Sequence, residues 1–296
     1  MSASDGHSDV YVSGGDALRL HVRIYGPHPS DVPTVVCLPG LARTAADFHE
    51  LAVALSSDAK QPLRVIAVDY RGRGLSERDP NWANYDLRIE TEDLLHVLTA
   101  LDVPRAIFIG TSRGGLITMA LAVSRGSMVR AAVLNDVGPV VDRKGLIRIR
   151  STIGKLPTPA NFREAGQVLK LLSSAQYPNL GDADWDLMAR RTWTEQDGKL
   201  VPAYDPALVK TLEAVDLEEP LPDLWRAFDT LRGVPVLALR GANSDILSAE
   251  TLAQMEASHP RLEAVTIPDQ GHPPLTWDPQ VMKIILRFVN RVDDRG

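Results

Sequence analysis

The chain has 296 residues, 44% of them hydrophobic and 24% charged, and a formal net charge of −6. That length and apolar content suit one large α/β domain, or one domain carrying an insertion. The acidic balance, with no basic stripe, argues against a nucleic-acid partner or an anionic membrane surface, and no apolar run reaches the roughly 18–20 residues of a membrane span. The first nine residues are polar and lack the charged-then-apolar layout of a secretion signal. A lone cysteine, Cys37, can form no internal disulfide and fits a reducing, cytoplasmic setting. It sits in an apolar run and reads as a buried, inert thiol. Seven scattered histidines show no metal-ligand spacing, so neither a metal nor a cofactor is expected.

In chain order, residues 10–12 and 18–24 read as an antiparallel hairpin about Ser13-Gly14-Gly15-Asp16. In its second strand Leu18, Leu20, Val22 and Ile24 alternate with Arg19, His21 and Arg23, which predicts one solvated face and places His21 at the surface. A Pro-rich loop over 26–33 leads to residues 34–38, wholly apolar and of the kind buried on both faces of a parallel sheet. This strand runs into Pro39-Gly40-Leu41-Ala42-Arg43-Thr44 and then a helix over 45–55. The strand 65–68 ends in Asp69-Tyr70-Arg71-Gly72-Arg73-Gly74-Leu75-Ser76. Glu77 stands where a dinucleotide-binding G-x-G-x-x-G needs its third glycine, so that reading is rejected; Arg71 and Arg73 read as loop braces. A helix over 88–101 directs Ile89, Leu94, Leu95, Val97 and Leu98 to the core.

Residues 107–115 then read Ile-Phe-Ile-Gly-Thr-Ser-Arg-Gly-Gly, followed by a helix-prone run. This is G-x-S-x-G between a strand and a helix, the context in which the pattern has chemical meaning. The sharp turn needs Gly110 and Gly114 where a Cβ would collide with backbone. It presents the Ser112 hydroxyl at the strand's carboxyl end, above a helix N-terminus that favours an oxyanion. The strand 131–134 ends in Asn135-Asp136-Val137-Gly138-Pro139. Residues 140–231 change character: helical pieces without a buried strand, Pro-bounded loops, and Trp185, Trp193 and Trp225. Trp193 and Tyr204 are the pocket candidates there. Strands resume at 236–239, running into Arg240-Gly241-Ala242-Asn243-Ser244-Asp245, and at 264–267, running into Asp269-Gln270-Gly271-His272, with a helix over 249–257 between them. Asp278-Pro279 is a cap and first turn for a last amphipathic helix. The expected architecture is a mostly parallel, doubly wound α/β sheet with an N-terminal antiparallel hairpin. Residues 1–139 and 232–296 form its core, and 140–231 form a helical cap insertion. Ligands belong at the carboxyl ends of such strands.

Ser112, Asp245 and His272 all fall there, in the order nucleophile, acid, histidine. With the Leu38-Pro39-Gly40-Leu41 turn and the 69–76 loop, these motifs resemble the α/β-hydrolase superfamily over nearly the whole chain. A serine hydroxyl needs a base to take its proton as it attacks, and a histidine has the pKa for that task. An aspartate fixes the histidine's tautomer. The resemblance implies a triad of Ser112, His272 and Asp245, with Asp136 the alternative acid because some relatives place it after the preceding strand. It also implies an oxyanion hole made by the backbone N–H groups of Leu41 and Arg113. Pro39 replaces the histidine that often begins the first turn in relatives.

The implied function is a serine hydrolase of the carboxylesterase type (EC 3.1.1), cleaving a small-molecule ester or lactone through an acyl-enzyme. A C–C bond hydrolase or enol-lactonase would use the same triad, and a ligand receptor with little turnover would use the same fold. An aminopeptidase-like relative would need acidic cap residues, for which Glu213, Glu218 and Glu219 are available. Serine at position 112 argues against dehalogenase and epoxide-hydrolase chemistry, which needs a carboxylate nucleophile.

Overall fold

The computed structural model describes residues 6–27, 32–219 and 221–293. Half of the expected loop over 26–33, residues 28–31, therefore lies outside the described residues. Strands β1 (His7–Ser13) and β2 (Arg19–Tyr25) form the expected antiparallel hairpin. They are followed by β3 (Thr34–Leu38), α1 (His49–Ser56), β4 (Val65–Val68), α2 (Leu87–Ala100), β5 (Ala106–Thr111), α3 (Arg113–Arg125) and β6 (Val129–Asn135). After a long excursion come β9 (Val236–Gly241), α9 (Ala249–Ser258), β10 (Leu262–Ile267) and α10 (Pro279–Asp293). The sheet order is β1-β2-β4-β3-β5-β6-β9-β10. From β4 to β10 every neighbouring pair is parallel, and β2 joins β4 antiparallel.

The apolar strands make this sheet because it is covered on both faces. Alternate residues divide between two cores: Val36, Leu38 and Phe108 pack with α2, α3 and α9, whereas Val35, Cys37, Ile107 and Ile109 pack with α1 and α10. Cys37 is fully buried, and that burial pushes its thiol well above the ordinary range. The last helix starts as its sequence signals, with the Asp278 carboxylate accepting from the N–H groups of Gln280 and Val281.

His21 departs from expectation. It is fully buried, because the loop after β4 closes over that face of β2. That loop supplies Asp69 to the ring's Nδ1 at 2.7 Å and Ser76 to the backbone N–H. On α2, the buried face carries Glu90 and Asp93 alongside Leu94, Val97 and Leu98.

Among the described residues, the excursion between β6 and β9 adds no strand to the main sheet. It contains α4 (Arg143–Thr152), α5 (Phe162–Ser173), α6 (Asp182–Thr192), α7 (Val209–Glu213) and α8 (Trp225–Asp229). It also holds a two-stranded antiparallel pair, β7 (Trp193–Gln196) and β8 (Lys199–Pro202), that the sequence reading lacks. The signal was present: Asp197-Gly198 is the two-residue hairpin dipeptide, and both residues take the positive φ that such a turn requires, 51° and 72°. α8 turns back to the main body, burying Phe228 in the core beside α3. Among the described residues, no helix is long and apolar enough to cross a membrane.

Candidate active site

The sharp turn between β5 and α3 follows from two glycines. A Cβ on Gly110 would run into the Gly114–Gly115 backbone, and one on Gly114 would overlap the Leu38 carbonyl. With both absent, the chain reverses within a residue. Ser112 is left at φ +50°, ψ −111°, a conformation L-residues rarely adopt. Its backbone is fixed by an N–H bond to the Asn135 carbonyl at 2.9 Å. The Asn135 side chain ties Thr111 Oγ1 to the Pro274 carbonyl, joining this turn to the loop that carries His272.

His272 lies between two partners. Its Nε2 is 2.9 Å from Ser112 Oγ and its Nδ1 is 2.7 Å from Asp136 Oδ2. A carboxylate accepts, so Nδ1 carries the proton and Nε2 is left to accept from the serine hydroxyl. Asp136 is wholly buried at φ +59° just past β6. Its other bonds hold it still: Oδ1 accepts from the Gly241 N–H at 3.0 Å, and Oδ2 also accepts from Ser244 Oγ at 2.6 Å. The carboxylate is thereby desolvated yet satisfied, and one lone-pair direction is committed to the imidazole.

The expected place of Asp245 on His272 is therefore corrected: Asp136 stands there. Asp245 is instead engaged by Arg148, which α4 brings against it, and the guanidinium's Nε and Nη2 take both carboxylate oxygens at 2.6 and 2.8 Å. Burial alone would raise the Asp245 carboxyl, but the Arg148 guanidinium holds it below the usual carboxylate range.

The turn after β3 reaches the same point. Gly40 lies against Ser112, since a Cβ there would sit 3.9 Å from the serine Cβ. Arg113 is the first residue of α3, so its N–H has no intrahelical acceptor. The peptide of Leu41 is held by Arg73, whose Nε donates to the Leu41 carbonyl at 2.8 Å. Arg73 and Arg113 converge on the fully buried Glu90, each 2.5 Å from one carboxylate oxygen. One carboxylate on α2 thus braces both turns that carry the expected oxyanion donors. Glu90 is absent from the residues expected at the site, although it shares a helical stripe with Leu94 and Val97. Arg71 braces as expected, bonding Asp93, Asp79 and Asp16.

A cavity of about 220 Å³ opens beside His272 and Thr111, roofed by residues from the 140–231 excursion that include Arg148, Leu172, Tyr177 and Tyr204. Of the two aromatic candidates, Tyr204 lines it, whereas Trp193 lies behind the wall, buried in the apolar cluster that gives the cavity Leu169, Tyr177, Met188 and Leu275. Glu213, Glu218 and Glu219 do not line it. A larger depression of about 610 Å³ lies at the opposite, amino ends of β6, β9 and β10, far from the serine. Among the described residues, no group of three or more His, Cys, Asp or Glu side chains is placed to hold a metal ion.

A parallel sheet flanked by helices, a serine on a strained strand–helix turn and a histidine against its hydroxyl define a hydrolase of the α/β class. The family model described as the alpha/beta hydrolase family matches residues 35–282. The chain belongs to that family, and its fold is the α/β-hydrolase fold. It is 33% identical to a 3-hydroxybutyrate-oligomer hydrolase of Cupriavidus necator, over 88% of this chain and 89% of that protein. It is 26% identical to a 2-(acetamidomethylene)succinate hydrolase of Mesorhizobium japonicum, over 97% and 99% of the two chains. The crystal structure of an alpha/beta hydrolase from Novosphingobium aromaticivorans superposes with a TM-score of 0.90 at 39% identity, covering 97% of this chain and 99% of that one.

Proposed function

We propose that the chain is a carboxylic ester hydrolase of the carboxylesterase type, with Ser112 as nucleophile, His272 as general base and acid, and Asp136 as its orienting carboxylate. The observation that carries this reading is the imidazole bridging Ser112 Oγ and Asp136 at 2.9 and 2.7 Å. As Ser112 Oγ attacks the ester carbonyl carbon, its proton passes to His272 Nε2, and Asp136 stabilises the imidazolium. The tetrahedral oxyanion accepts from the N–H groups of Leu41 and Arg113, each such donor contributing about 3–4 kcal/mol to the barrier reduction. Collapse expels the alcohol, which takes its proton from His272. A water activated by the same histidine then hydrolyses the acyl-enzyme.

The cavity of 220 Å³ falls below the roughly 300–1,000 Å³ typical of sites for drug-sized ligands, which favours a short acyl or alcohol group. The relative named for 3-hydroxybutyrate oligomers supports a small substrate as well. A single, buried cysteine supports a cytoplasmic location.

The test is hydrolysis of p-nitrophenyl esters of graded acyl length, with wild type beside Ser112→Ala. A nitrophenol burst and a fluorophosphonate label, both lost in S112A, are the expected result. A second reading, in which the bond cleaved is not an ester, is favoured by the relative named for 2-(acetamidomethylene)succinate. Such an enzyme is labelled at Ser112 but turns over no member of the panel. Absence of both label and turnover overturns the hydrolase mechanism in favour of a receptor.

A further inference from the structure

Arg148 has two edges through which a guanidinium can grip a carboxylate, one formed by Nε and Nη2 and the other by Nη1 and Nη2. Asp245 occupies the first, with bonds of 2.6 and 2.8 Å. Nη1 has no acceptor among the described residues, and it is not among the buried polar atoms left without a partner. It is therefore reachable by solvent, on a side chain that is one-third exposed and lines the cavity beside His272. The other cation of that wall is differently placed. Arg43 gives Nε and Nη2 to Asp47 and Nη1 to Thr192 Oγ1, so each of its nitrogens already has a partner. One guanidinium of the cavity lining thus keeps a vacant edge, held in orientation by Asp245, while Asp136 takes the imidazole's Nδ1.

We propose that Arg148 is an anion-binding, specificity-determining residue and that the substrate carries a free carboxylate besides the bond that is cleaved. Asp245 is then a positioning residue, which holds the guanidinium plane and keeps its charge from collapsing onto Asp136. A planar fork matched to a carboxylate selects against uncharged esters of the same size, which would leave the donors unpaired. The inference rests on the esterase reading above.

The experiment compares aryl esters in pairs of equal acyl carbon number: p-nitrophenyl hemisuccinate, hemiglutarate and hemiadipate beside the butyrate, pentanoate and hexanoate. A second arm places the carboxylate on the alcohol side, as O-acetyl-3-hydroxybutyrate beside its methyl ester. Wild type is expected to favour the charged member in at least one arm by tenfold or more in kcat/KM. In Arg148→Gln that ratio should fall to near one, chiefly through KM, with Arg148→Lys intermediate. Independently of any variant, free glutarate or 3-hydroxybutyrate should inhibit wild type competitively, and more weakly as salt rises.

A wild-type ratio near one in both arms, with no such inhibition, overturns the proposal. So does R148Q lowering charged and neutral substrates in equal proportion, which would make the Arg148–Asp245 pair a tether between α4 and the β9 turn. Failure of the underlying reading is distinguishable, because wild type would then hydrolyse no ester of either charge.

Discussion

Among the described residues are two buried histidine–aspartate pairs of nearly identical geometry, and they do different work. His272 meets Asp136 and His21 meets Asp69, each through Nδ1 at 2.7 Å. The difference is on the far side of the ring. Nε2 of His272 faces the Ser112 hydroxyl at 2.9 Å, whereas Nε2 of His21 faces the Asp9 carboxylate at 2.9 Å. A hydroxyl can donate, so Nε2 of the first ring stays unprotonated, its lone pair accepting from the serine and ready to receive the proton. Two carboxylates can only accept, so the second ring must donate from both nitrogens as an imidazolium. Burial of His21 works against that charge, but its hydrogen bonds and proximity to Asp69 and Asp9 outweigh it and raise the ring's pKa. An aspartate against a histidine is thus not itself a catalytic signature; the third partner decides between a base and a fixed cation.

The largest expected effect tests that distinction directly. Asp136→Asn should lower kcat about 10⁴-fold, because an amide in that place favours the wrong tautomer while leaving the geometry intact. Asp69→Asn and Asp245→Asn should each lower kcat on a neutral ester far less, because the structure gives neither carboxylate a hydrogen bond to His272. Steady-state kinetics on the preferred p-nitrophenyl ester, with folding checked by circular dichroism, decides the matter. If D245N falls as far as D136N, the acid has been misassigned.

The contrast also marks what could be read from the chain. The strand–helix alternation, the sharp turn at Ser112 and the place of His272 are local properties, carried by apolar runs and by glycines where a Cβ has no room. The choice between Asp136 and Asp245 is not local. Both follow strands at the same end of the sheet, and what separates them is Arg148, about a hundred positions from Asp245 in the chain, arriving on α4 to claim one of the two. His21 is buried against expectation for a related reason: alternation along β2 reports its two faces but not that the 69–76 loop covers the polar one. Glu90 could have been noticed, since a carboxylate on an apolar helical stripe needs a buried cation, and Arg73 and Arg113 supply it.

Stability should separate the two histidines in the opposite sense from activity. His21→Gln removes the cation from the almost fully buried Asp69, and loss of one member of such a pair costs about 3–5 kcal/mol. The lower end is expected here, because the Ala45 and Leu75 N–H groups still reach that carboxylate. His272→Gln should cost less, since Asp136 keeps Gly241 N–H and Ser244 Oγ as donors. Urea midpoints of the two variants give the comparison, and a smaller loss in H21Q than in H272Q would break it.

The smallest effect is the most specific to the charge on His21. Its pKa is raised in the folded protein, whereas in the unfolded chain it returns to about 6.5. The folded state therefore holds the proton more tightly. The stabilisation is fully present below the unfolded value and is lost as pH rises through the folded one. The difference in unfolding free energy between wild type and H21Q should accordingly be widest near pH 5.5 and narrow toward pH 9. Burial raises the Asp9 carboxyl, but His21 and then His7 more than offset this and hold it below its ordinary value, so its own contribution is lost only on the acid side. Measurements kept above about pH 5, more than one unit over the ordinary aspartate pKa of about 3.9, leave that carboxylate ionised and isolate the histidine. A gap that instead widens as pH rises from 5.5 would mean His21 is neutral when buried. The two histidine–aspartate pairs would then differ in surroundings but not in charge.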